Sequence, residues 1–238
     1  MQSPYISAFT RISLAVLGCF VLEATLPDAT AATIIGNNLN DSINIDAFSG
    51  QIFLLNANLS SIAGQSISSW SLFNNSNPGR SSTPLLLEDT SGNQTSFTIR
   101  GIGTTRVTSG SGQDTFTFSA VGGSSLIGAN YYVGHYDGAW NGTTGFPNPG
   151  TIDFDTVNTP AAPGQIDSTG TVWLNTAGTD TPANIGVGAV NAATSGLYGG
   201  AVDTRHYSIQ FTAVPEPSAL GVFGLAVVGF TARRRLVA

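Results

Sequence analysis

His206-Tyr-Ser-Ile-Gln-Phe211 decides the fold. Tyr207, Ile209 and Phe211 recur at a spacing of two, with His206, Ser208 and Gln210 between them. That period marks a strand with one face in a core and one in water. It returns throughout the chain. Ile43, Ile45 and Ala47 alternate with polar neighbours, as do Phe97 with Ile99, Phe116 with Phe118, and Ile152 with Phe154. Residues 51–58, 67–73, 83–88, 130–137, 171–175 and 197–202 read as further strands. The stretches Asn74-Asn-Ser-Asn-Pro-Gly79, Ser91-Gly-Asn93, Ser109-Gly-Ser-Gly112 and Asn148-Pro-Gly150 supply reversals between them. No part of this body carries a helical period or an internal repeat. The expectation is an all-β domain over residues 32–213, an antiparallel two-sheet sandwich of jelly-roll-like form.

Composition narrows the function. The 238 residues are 41% hydrophobic, enough for a core, but only 9% charged. Every base is arginine. Within 32–213 four arginines face eleven carboxylates, a net charge of −7. No basic patch exists to neutralise phosphates, which excludes nucleic acid as a partner. The single cysteine, Cys19, precedes the body, so a disulfide framework and a zinc-thiolate site are excluded as well. Without lysine there is neither a P-loop nor a Schiff-base mechanism.

Both ends differ from the body. Arg11 precedes the apolar run 12–22, which is short for a membrane span and right for the helix of a secretory signal. Ala29-Thr30-Ala31 offers signal peptidase a small-x-small site, so residues 1–31 read as a signal peptide. At the other end, residues 214–238 read VPEPSALGVFGLAVVGFTARRRLVA. Residues 218–232 make about 22 Å of helix, a short transmembrane segment against the roughly 30 Å hydrocarbon core. Arg233, Arg234 and Arg235 hold its far end on the cytoplasmic side. Pro215 and Pro217 keep Glu216 extended, since neither they nor the residue between them suits a helix.

This order of parts resembles the PEP-CTERM sorting signal. The resemblance covers the last twenty-five residues and implies an exosortase that recognises Pro215, Glu216 and Pro217. It further implies a Gram-negative host that makes extracellular polysaccharide, transient insertion in the inner membrane, and delivery to the outer surface or matrix.

Candidate sites in the body are few. Tyr131-Tyr-Val-Gly-His-Tyr-Asp-Gly-Ala-Trp140 is the densest aromatic stretch. Tyr131, Tyr136 and Trp140 are its candidates for stacking on sugar rings, the alternative being core and turn aromatics. Asp153 and Asp155 sit at i and i+2, where they could share a calcium ion or stand as solvated acids. No cofactor other than calcium is suggested. Two histidines are too few for a His-based metal site, and no G-x-S-x-G elbow occurs. The expected function is a non-enzymatic surface or matrix module associated with polysaccharide. The alternatives are a secreted carbohydrate-active enzyme using Glu88, Asp153 or Asp155, and a calcium-dependent adhesion module.

Overall fold

A computed structural model describes residues 31–39, 44–45, 50–74, 79–109, 112–138, 153–155, 164–174, 185–193, 202–203 and 205–216. The chain divides into two compact units, Ala32–Val214 and a second formed by Met1–Ala31 with Pro215–Ala238. The fold described is that of the first. The signal helix and the C-terminal transmembrane helix fall outside the described residues. No helix among those residues is long and apolar enough to cross a membrane.

The domain is all-β. Strands are numbered in chain order. A five-stranded sheet has the order β12 (Gln165–Ile166), β1 (Thr33–Gly36), β17 (Ile209–Pro215), β4 (Gln65–Asn74), β8 (Gly112–Thr117). A nine-stranded sheet runs β14 (Val190–Ala192), β6 (Ser96–Gly103), β5 (Ser81–Asp89), β10 (Tyr131–Tyr136), β3 (Ile52–Leu55), β13 (Thr171–Leu174), β15 (Val202–Asp203). Its nine strands are completed, off this path, by β7 (Arg106–Val107) beside β5 and β9 (Ala120–Gly123) beside β6. A small sheet joins β16 (His206–Tyr207), β11 (Asp153–Asp155) and β2 (Asn44–Ile45). One 3-10 turn, Ser60–Ile62, is the only helix among the described residues.

Alternation builds the first core. Tyr207, Ile209, Phe211 and Ala213 are all fully buried, and they meet Phe53, Leu55, Leu86 and Val133 of the larger sheet. Trp70 and Leu72 of β4 fill the same layer. The sandwich expected from the period of two is present, with two departures. β1 and β12 run parallel, Ile34 beside Gln165, within a domain expected to be antiparallel throughout. The sheets hold five and nine strands, unlike the two Greek keys of an eight-stranded jelly roll.

The larger sheet buries its other face too. Ile52, Leu54, Leu85, Leu87, Phe97, Ile99, Tyr132, Tyr136, Val172 and Leu174 form a second apolar cluster there, with Ile185 packed in. Continuous runs such as Ile52-Phe-Leu-Leu55 follow from this, because a strand covered on both sides has no polar face. The sheet reaches that state by curling. Five ladder steps separate β14 from β13, about 24 Å if the sheet lay flat. Yet Ala193, next after β14, forms a bridge with Leu174 of β13. The sheet therefore wraps around the second cluster. Gly134 permits the close approach at its centre, since a Cβ there would stand 2.2 Å from the Phe53 carbonyl oxygen.

Candidate functional site

The Pro-Glu-Pro triplet begins at the end of β17, the last strand among the described residues. β17 is a central strand, paired with β1 from Thr33 opposite Ala213 to Gly36 opposite Gln210. Its other neighbour is β4, where the Phe73 N–H donates to the Ser208 carbonyl at 2.9 Å and Ser68 Oγ to that of Thr212 at 3.1 Å. Phe211 and Ala213 point into the core, Val214 and Pro215 are half-buried, and Glu216 is exposed just past the strand. Proline ends the strand because it has no N–H to continue a ladder. Pro217, Arg233, Arg234 and Arg235 lie outside the described residues, as does Ala29. Ala31 is exposed.

The aromatic stretch is structural where it is described. The Tyr136 ring is 2% exposed in the second cluster, so neither of its faces is open to a sugar. Burial by the curled sheet overturns that assignment. Tyr131 is half-buried against the first core and packs on Gly128. Trp140 lies outside the described residues. Between these tyrosines, His135 faces the first core, its ring 5.7 Å from Phe53 and 5.0 Å from Tyr207. Its Nε2 stands 3.1 Å from Oδ1 of Asp137, with the two side chains 1% and 0% exposed. The pair is closed to solvent, so it offers a substrate no approach.

The carboxylates named from sequence are dispersed. Asp153 stands opposite Ile45 and Asp155 opposite His206 in the ladders of the small sheet. Glu88 belongs to the large sheet and binds Arg100, whose Nε donates to its Oε2 at 2.6 Å. No group of three or more His, Cys, Asp and Glu positioned for a metal ion occurs among the described residues.

A polar knot that the sequence did not disclose sits beside the second cluster. Gln94 Nε2 donates to Asn56 Oδ1 at 3.0 Å and to the Tyr132 hydroxyl at 3.1 Å. Asn58 Nδ2 reaches the same hydroxyl at 3.3 Å, and Asn56 Nδ2 donates to Thr169 Oγ1 at 2.9 Å. Gln94 is one of two non-glycine residues with positive φ among those described, at 62°. Asp89 holds it there. Oδ2 of Asp89 accepts from the Gln94 N–H at 2.9 Å, while Oδ1 accepts from the Ser91 and Gly92 N–H groups and from Ser91 Oγ. The only sequence signal was the turn Ser91-Gly-Asn93, which shows a reversal but no partners.

These bonds set the acidity of Asp89. Burial favours its neutral form, but the Ser91 hydroxyl and the three backbone donors outweigh this and lower its pKa below the ordinary aspartate value. A depressed carboxylate stabilises the fold fully above its unfolded pKa of about 3.9. That contribution is lost as pH falls through the lower folded value. Urea unfolding will show stability dropping below about pH 4 in the wild type, with a smaller drop in Asp89→Ala. At neutral pH that variant loses about 2 kcal/mol.

A family model described as the PEP-CTERM protein-sorting motif matches residues 213–235. No curated protein and no solved structure matches the chain. The match begins at the last core residue of β17 and runs through the apolar segment to the arginines, the parts that charge and hydropathy had separated from the body. The chain thus carries a PEP-CTERM protein-sorting motif, which implies export and sorting to the cell surface and supports exosortase as a partner.

Proposed function

We propose that the β domain is a non-enzymatic surface or matrix module that associates with extracellular polysaccharide once its tail has delivered it. The observation that carries the proposal is the sorting motif set directly on the final strand of a charge-poor, all-β body. In this reading signal peptidase acts after Ala31, and the tail rests transiently in the inner membrane of a Gram-negative cell. Exosortase then acts at Pro215, Glu216 and Pro217.

Two features support a binding module over a glycosidase. Glu88 is committed to Arg100, and it stands on a different sheet from Asp153 and Asp155. Hydrolysis of a glycosidic bond needs two carboxyls flanking that bond. The knot of Asn56, Asn58, Gln94 and Thr169 suits a neutral glycan better than the tyrosines do, since amides and hydroxyls both donate to and accept from sugar hydroxyls. Asn58 and Thr169 are exposed at its rim.

A glycan array with the purified protein tests this. Retention of a neutral glycan is expected, weakened at least ten-fold by Asn58→Ala combined with Gln94→Gly, glycine being at ease at the positive φ of position 94. Turnover of a retained sugar would replace the binding reading with the enzymatic one. Retention that depends on added calcium and vanishes in Asp153→Asn with Asp155→Asn would favour the adhesion module.

A further inference from the structure

We propose that the free edge of β8 pairs with β8 of a second copy, antiparallel about Thr115, with Arg106 of each copy meeting Asp114 of the other. The five-stranded sheet then continues across a two-fold axis into that of its partner.

Backbone geometry leaves that edge open. Among the described residues β8 pairs with β4 alone, at the end of its sheet. The Phe118 N–H donates to the Ser68 carbonyl at 2.9 Å, one step beyond the pairing of Thr117 with Ser69. Main-chain groups of successive residues in a strand point to alternate sides. Phe116, Asp114 and Gly112 therefore direct theirs to β4, as Phe118 does. Those of Gln113, Thr115 and Thr117 point away from it, and the same three residues have exposed side chains. Folded domains blunt such edges by keeping them short, bulged, or marked with lysine or proline. The other edge strands among the described residues obey. None exceeds four residues, and β9, the longest of them, pairs through a shifted register. β8 has six residues, an unshifted register, and neither proline nor lysine.

The side chains select the occupant. Thr115 opposite Thr115, with Gln113 opposite Thr117, is the antiparallel register that engages all three open residues of both copies. Threonine facing threonine is a favourable cross-strand pair. On the inner face this register sets Asp114 opposite Phe116 of the second copy. The Phe116 ring already carries a cation, the Arg106 guanidinium lying 5.7 Å from its centroid. Arg106 has no ion pair among the described residues, and its buried Nε has no hydrogen-bond partner there. Asp114 accepts from the Ser109 N–H at 3.0 Å and from Ser109 Oγ at 2.6 Å. That is one bond to each carboxylate oxygen, which leaves each a lone pair for a further donor. A second copy thus brings Arg106 an acceptor twice, once on each side of the axis. An unrelated strand would fill the edge without doing so. The paired area is small, so the dimer is weak and forms at high local concentration.

Cysteine cross-linking of the full chain in detergent tests both register and charge. Cys19, the single native cysteine, is first changed to serine. Facing residues of a hydrogen-bonded antiparallel pair stand about 5.5 Å apart at Cα, within disulfide reach. Thr115→Cys should therefore give a covalent dimer under mild oxidation. Gln113→Cys and Thr117→Cys should each stay monomeric alone and link when mixed. In the Thr115→Cys background, Arg106→Glu and Asp114→Arg each bring like charges together and should cut the linked fraction about ten-fold. Mixing those two variants should restore it, because Glu then meets Arg and Asp114 meets Arg106. Misfolded variants could not rescue one another in this way. A Thr115→Cys chain that stays monomeric with a wild-type unfolding curve overturns the inference and leaves the edge to a different strand. Linking that Arg106→Glu leaves unchanged overturns it too, as does a Gln113→Cys chain that links to itself.

Discussion

Replacing Trp70 with alanine lowers the unfolding free energy by about 3–5 kcal/mol, a large share of the 5–15 kcal/mol typical of a domain. The side chain is 0% exposed in the middle of β4 and stands between the two sheets. Its ring lies 5.2 Å from that of Phe116, the residue directly opposite on β8. Truncation leaves a void that the rest of the layer cannot close, since the strands on either side are fixed by their own ladders. The indole nitrogen is buried without a hydrogen-bond partner among the described residues. Trp70→Phe removes that unmet donor while keeping an aromatic ring, so its loss should stay below about 1.5 kcal/mol. Urea unfolding followed by circular dichroism checks both variants. Equal losses would mean that the ring is not what Trp70 contributes.

The same residue shows what was legible in the sequence. Strand β4 and the inward side of Trp70 follow from local alternation, and so do the inward sides of Phe97, Ile99, Tyr207, Ile209 and Phe211. Alternation says which face is apolar, but it does not count how many faces are covered. Ile52-Phe-Leu-Leu55 and Leu85-Leu-Leu87 lack a polar face because a second cluster lies behind them. That cluster depends on the bridge between Leu174 and Ala193, which no local pattern encodes. It is also why Tyr136 looked available for a sugar and is buried instead. β1 went unread because Thr33-Ile-Ile-Gly36 is too short to show a period. The knot around Gln94 joins residues from 56 to 169, so only the folded chain assembles it. The sorting triplet was legible for the opposite reason. Its chemistry is linear, carried by adjacent residues, and the two prolines disfavour helix there on sequence grounds alone.

That linearity predicts the largest functional effect. Changing Pro215, Glu216 and Pro217 together to alanine abolishes tail removal, and the tryptic peptide beginning at His206 then runs to Arg233 in all recovered protein. Alanine is the best helix former and proline the worst, by about 3 kcal/mol per residue. With both prolines gone, the apolar segment from Ser218 can extend as helix toward β17. An enzyme that reads an extended, proline-framed glutamate then meets neither the shape nor the charge. The body itself should not notice. Its core ends at Ala213, Pro215 is half-buried at the strand end, and Glu216 is exposed, so the unfolding curve stays within about 0.5 kcal/mol of wild type. Glu216→Gln separates the two requirements by keeping the prolines and removing only the charge. Processing of this variant at the wild-type rate would assign recognition to the backbone shape alone. Processing of the triple alanine variant would remove the triplet from the recognition site and leave the apolar segment and the arginines to carry it.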